Sequence, residues 1–156
     1  MGRQRMVGRP GGEGQQPKAP PMPAESVSAS IGPAGVVVVT IDVASYPMVG
    51  QHWREQLSGR NARKWGRIYI DPDKAECKRR RDDALAAFRG LYKGEVGNNC
   101  DECPGAMFYW DGPAYPAHAQ PLCAYNNQKL GRDLDRVLRD TIPGSTGWWQ
   151  VVFRFR

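Results

Sequence analysis

The chain has 156 residues, of which 40% are hydrophobic and 24% charged, and it carries a net charge of +6. That length supports one domain with a real core, and no apolar run is long enough for a membrane-spanning helix. The positive balance favours a polyanionic partner such as nucleic acid, or an anionic membrane surface.

Residues 1–33 are rich in Pro and Gly and nearly lack large apolar side chains, so a flexible basic tail or linker is expected there. Arg3, Arg5, Arg9 and Lys18 would add weak phosphate attraction. No apolar stretch follows these arginines, so no secretory signal is expected in this chain. Residues 34–156 form the expected folded domain.

Residues 35–43 are β-branched almost throughout and read as a buried strand. Ser45, Tyr46 and Pro47 then open a short helix to residue 57, with Val49, Trp53 and Leu57 on its apolar side. Residues 64–70 alternate and read as a second strand. Asp71-Pro72-Asp73 is a strong helix start, and that helix runs to about Arg89 with Ala84, Leu85 and Phe88 inward. Lys78, Arg79, Arg80 and Arg81 make it cationic. After a loop and an acidic segment come the aromatic residues Phe108, Tyr109 and Trp110. Residues 113–121 read as an irregular excursion. Asn126-Asn127 precede a helix whose apolar stripe is Leu130, Leu134, Val137 and Leu138. Lys129, Arg132, Arg136 and Arg139 form a basic ridge beside it. Pro143-Gly144 end that helix, and residues 148–155 close the chain as an alternating strand. The expected fold is α+β: a small, mainly antiparallel sheet with about three helices in a single domain, behind the N-terminal tail.

The chemistry concentrates in Asn99-Cys100-Asp101-Glu102-Cys103-Pro104-Gly105-Ala106-Met107-Phe108. Adjacent carboxylates in an otherwise apolar run call for a positive partner, and a hard divalent cation is the usual one. An exposed acidic turn explains the same residues equally well. Cys77, Cys100, Cys103 and Cys123 permit disulfides, free thiols or one zinc site. Only Cys100-x-x-Cys103 has zinc-knuckle spacing, which ranks zinc last.

In order, Tyr46-Pro47 with His52, Ile70-Asp71 with Ala75, Arg79 and Leu85, the Asp101–Met107 motif, Asn126-Asn127, Gly131 with Leu134, and Val151-Val152-Phe153 resemble the NucA/NucB family of bacterial deoxyribonucleases. The resemblance covers roughly residues 44–154. It implies a metal-dependent, sequence-tolerant endonuclease that hydrolyses DNA with Mg²⁺ or Mn²⁺, of the secreted or toxin type, acting as a monomer and in some settings met by a cognate inhibitor protein. No membrane partner is implied. On this reading Asp101, Glu102 and His52 are catalytic, with His52 as general base. Asp101, Glu102 and Asp111 hold the metal, and Asn126 and Asn127 support it. Arg79, Arg80, Lys129, Arg132 and Arg136 contact phosphates without reading sequence. The chain departs from the family at Cys103, where an aromatic residue is usual. It also lacks a Glu-Gly-Gly stretch, for which Asp111-Gly112 is the nearest substitute. Those departures motivate an alternative, a catalytically inactive relative that binds nucleic acid or protein. A zinc-stabilised binding module is the third reading. For His52 a structural hydrogen bond, and for the asparagines a helix cap, are the plain explanations.

Overall fold

Val37, Val39 and Ile41 alternate with Val38 and Thr40, and this pattern builds an interior strand of the main sheet. The computed structural model describes residues 25–91, 98–142 and 147–156; the side chains of residues 91, 98–101 and 122–124 lie outside the description. Strand β1 (Val27–Ile31) and β2 (Val37–Ile41) form an antiparallel hairpin. Its turn is closed by Gly32 N–H to the Val36 carbonyl at 2.8 Å, with Gly35 at φ +77°. Helix α1 (Val49–Leu57) follows, then β3 (Ile68–Ile70), α2 (Lys74–Leu91), β4 (Asn98–Cys103), β5 (Phe108–Trp110), β6 (His118–Cys123), α3 (Ala124–Thr141) and β7 (Trp149–Phe155). The five-stranded sheet runs β1-β2-β7-β3-β5. Its β2–β7 pairing is parallel, and the other pairings are antiparallel. The fold is thus α+β, with three α-helices among the described residues and a mainly antiparallel sheet.

Register sorts the side chains by face. Val37, Val39 and Ile41 stand beside Val151, Phe153 and Phe155, and Ile68 and Ile70 stand beside Trp110 and Phe108. This inner face meets Trp53 and Leu57 of α1 and Leu130, Leu134 and Leu138 of α3 in one core. Trp53 sits edge-on to Phe108 and Phe153, with ring centroids 6.4 and 5.8 Å away. The second sheet is the two-stranded ribbon of β4 and β6, and all three helices pack against it.

Three expectations are corrected. Residues 25–33 are not tail: Val27, Ala29 and Ile31 alternate with serines and form β1, with Val27 buried. The earlier part of the expected tail, 1–24, lies outside the described residues, as does the expected helix stop at Pro143-Gly144. The excursion ends early, because residues from His118 onward form β6. Pro121 is tolerated there because a two-stranded ribbon has only edge strands. Helix α3 begins at Ala124, so Asn126 and Asn127 sit inside its first turn and not at its cap. Among the described residues no helix is long and apolar enough to cross a membrane.

Leu134 is 1% exposed and belongs to the core that joins α3 to the sheet. Leu134→Ala is expected to cost about 2–5 kcal/mol, from lost burial plus the cavity left behind. Urea unfolding followed by far-ultraviolet circular dichroism measures it.

Candidate functional site

Helix α2 is anchored at its start. Asp73 accepts hydrogen bonds through Oδ1 from the backbone N–H of Ala75 (3.0 Å) and Glu76 (3.2 Å), as an N-cap should. Just before it, Asp71 and Arg80 form a buried ion pair, 3% and 6% exposed. Asp71 Oδ1 also accepts from Asp73 N–H at 2.8 Å, and Asp71 N–H donates to the Met107 carbonyl at 3.1 Å. These contacts fix α2 against the segment that follows the acidic motif.

With α2 held so, Lys74, Lys78 and Arg81 fall on one side of the helix, at steps of four and three. They form one wall of a cleft of about 550 Å³. Asn127, Gly131 and Asp135 of α3 form the facing wall, and Glu102, Gly105, Ala106 and Met107 line the cleft with Trp53. Gly105 suits a close approach: a Cβ there would lie 3.3 Å from the Trp53 ring. Lys78 bridges to Asp82 at 2.7 Å, but both are well exposed and the pair holds the lysine only weakly.

The histidines lie to one side of this cleft. His52 on α1 is 1% exposed, and its Nε2 lies 2.7 Å from Nδ1 of His118. His118 is exposed and lines a second concavity of about 480 Å³ with Lys64, Trp65, Phe88 and Tyr115. The ribbon register sets Cys103 opposite His118 and Glu102 opposite Ala119, so Glu102 is one rung from His118 and on the other face of the ribbon.

The start of α1 is held by α3. Tyr46 is fully buried and donates its hydroxyl to Asp133 Oδ2 at 2.6 Å. Lys129 lies 4.6 Å over the Tyr46 ring, and Arg136 donates to Asp133 Oδ1 at 2.9 Å. Asn126 Nδ2 donates to the Pro47 carbonyl at 3.4 Å. Burial first, and then the Asp133 bond, hold the Tyr46 hydroxyl well above the ordinary phenol range. For Asp133 burial alone would raise the carboxyl. The hydrogen bonds from Tyr46 and Arg136 outweigh it, and the carboxyl lies below its usual range.

The expected site residues therefore divide. Glu102 and Asn127 line the cleft. The backbone of Asp101 pairs with Gln120, while its side chain lies outside the described residues. Asp111 does not line the cleft: its carboxylate accepts from Arg67 backbone N–H (2.7 Å) and Nε (2.8 Å). Gly66 permits that turn, since a Cβ there would strike Asp111 Oδ1. Arg80 is no phosphate contact, because it is buried against Asp71. Arg79 is engaged by Glu76 (2.8 Å), Asp83 (3.2 Å) and the Tyr115 hydroxyl (3.0 Å). Lys129 and Arg136 serve the Tyr46–Asp133 cluster, and Arg132 is exposed without lining the cleft. Sequence reasoning missed Lys74 and Arg81 as cleft cations, Asp135 as its second acid, and the part played by His118. Helical spacing from Lys78 points to both cations, and spacing from Gly131 points to Asp135.

Cys77 is a free thiol pushed upward in pKa by burial, so two disulfides using all four cysteines are not formed. Among the described residues no group of three or more His, Cys, Asp or Glu side chains gathers at metal-binding distance. The cleft's own donors, Glu102, Asp135 and the Asn127 amide, carry oxygens of the kind a hard dication prefers. No protein-family model matches the chain, and no curated protein matches it.

Two outcomes follow from these pairings. Arg80→Ala strands a buried carboxylate and is expected to destabilise by about 3–5 kcal/mol in urea unfolding. Arg81→Ala, at an exposed position, is expected to stay within about 0.5 kcal/mol of the parent. Asp133 stabilises the fold fully above the ordinary Asp value of about 3.9. That contribution is lost as pH falls through its depressed folded value. The stability gap between the parent and Asp133→Asn should therefore be widest near neutrality and close in acid, as read by thermal melts across pH.

Proposed function

We propose that this protein is a metal-dependent, sequence-tolerant endonuclease of the NucA/NucB type, acting on DNA with Mg²⁺ or Mn²⁺. One observation carries the reading: Glu102 of the acidic motif lines a cleft walled by Lys74, Lys78 and Arg81. Three cations on one helical face suit a phosphate backbone, and they position it without reading bases. Glu102, with Asp101 beside it in sequence and Asn127 and Asp135 across the cleft, would hold the cation. When bound, the cation supplies charge neutralisation at the phosphate and stabilises the leaving oxygen.

The acceptor of the water's proton is a carboxylate of the cleft, Glu102 or Asp135: His52 is too buried to meet a polymer, and His118 lies on the other ribbon face from Glu102 and opens on the second concavity. Water adds to phosphorus, its proton passes to that carboxylate, the P–O bond to the leaving oxygen breaks, and the leaving oxygen takes up a proton from solvent. Uncontrolled DNA cutting harms the cell that makes the enzyme, so export, toxin delivery or a cognate inhibitor protein fits this activity.

The rival reading, a nucleic-acid-binding relative without activity, is favoured by Asp111, whose carboxylate is tied to Arg67. Relaxation of supercoiled plasmid separates the two. The nuclease reading expects nicking with Mg²⁺ or Mn²⁺, abolition by EDTA, and strong loss in Asp101→Asn and Glu102→Gln. His118→Ala, away from the cleft, should leave nicking largely unchanged. Salt-dependent DNA binding with no cutting under any metal would establish the rival instead.

A further inference from the structure

Among the described residues the helices pack on the inner face of the sheet, and its outer face carries an aromatic cluster that the cleft chemistry does not use. Tyr69 pairs across the ladder with Tyr109, their ring centroids 6.2 Å apart. Trp148 stands edge-on to both, at 6.5 Å from Tyr69 and 5.5 Å from Tyr109. Trp148 is 56% exposed and Tyr109 41%, although large aromatic side chains are usually taken out of water. Val152 is exposed on the same strand face, beside Gln150 and Arg154.

The charges on this face select the partner. Among the described residues at outward strand positions or one residue beyond a strand end, the charged side chains are Asp42, Arg67, Asp71, Asp111, Arg154 and Arg156. Asp111 is neutralised by Arg67 at 2.8 Å and Asp71 by Arg80, which leaves Arg154 and Arg156 against Asp42, a surplus of one positive charge in a chain of net charge +6. Exposed rings on an open sheet, with surplus positive charge farther along the same face and no surplus acid, match what unpaired bases and their phosphates require. The rings stack on base faces and the cations follow the backbone. A duplex hides its base faces and has nothing to offer the rings.

We infer that the outer sheet face, through Tyr69, Tyr109 and Trp148, with Arg154 four residues farther along β7 from the rung of Tyr69, is a binding platform for the unpaired bases of single-stranded nucleic acid. The platform lies on the opposite side of the sheet from the helices that wall the cleft, and it holds whether or not the cleft cuts.

Fluorescence anisotropy of a labelled twelve-nucleotide oligothymidine, in EDTA with the full chain, tests this. A labelled abasic strand of equal length and charge and a labelled duplex are the comparison probes. The expected result is preference for the base-bearing strand over both others. Trp148→Ala and Tyr109→Ala should each weaken it by about tenfold or more, and Tyr109→Phe should keep it. Arg154→Ala should weaken it and flatten its salt dependence. Melting temperatures of the same variants separate lost binding from lost folding, and only variants that stay folded at the assay temperature are compared. Equal affinity for the abasic and base-bearing strands, or unchanged affinity in folded Trp148→Ala and Tyr109→Ala, would overturn the inference. So would sedimentation showing that the face joins two copies of the chain, or binding of a soluble polysaccharide in place of the oligonucleotide.

Discussion

The antiparallel register of β4 and β6 is the constraint on which the candidate site rests. It sets Cys103 against His118 and Glu102 against Ala119. A strand's side chains alternate between faces, so a shift of one residue would exchange every side chain of β4 between them. Nothing in the five-stranded sheet enforces this register, because the ribbon shares no ladder with it. The three helices enforce it by packing on the ribbon from several sides. The site is thus only as exact as the seating of those helices.

Each helix is seated by a different device. Helix α1 uses apolar bulk, chiefly Trp53 against Phe108 and Phe153, together with the Tyr46–Asp133 bond ahead of it. Helix α2 uses a buried charge pair, Arg80 with Asp71. A buried pair adds little net stability over an apolar substitute, but breaking it is costly, so it acts mainly to fix position. Helix α3 uses its leucine stripe for the core and its charged border for Tyr46. Several cations that sequence alone offers to a ligand are therefore occupied in holding the frame, and the cleft is left with Lys74, Lys78 and Arg81.

The parts legible in the sequence were those with a strong period or a strong local signal. Val37 to Ile41, the Asp71-Pro72-Asp73 helix start, the stripe from Leu130 to Leu138 and the closing strand all formed as their patterns imply. Strand β1 was obscured because its serines and the Pro/Gly-rich neighbourhood resemble a linker, although Val27, Ala29 and Ile31 alternate. Strand β6 was obscured by Pro121, which an edge strand admits. The candidate site was half legible. Glu102 and Asn127 face the cleft, but composition cannot tell which arginine of the run 79–81 turns inward. Arg80 turns to Asp71 because a carboxylate buried nine residues earlier needs it. The link between His52 and His118 spans 66 residues and is a product of tertiary packing, invisible to any local pattern.

The central claim is that the acidic motif brings a divalent cation into the cleft between α2 and α3. Paramagnetic broadening of backbone amide signals on titrating Mn²⁺ into the full chain tests it most directly. The account predicts broadening centred on Glu102, Gly105, Asn127 and Gly131, reversed by EDTA and greatly reduced in Glu102→Gln. Broadening centred elsewhere, or none at millimolar Mn²⁺, would contradict it.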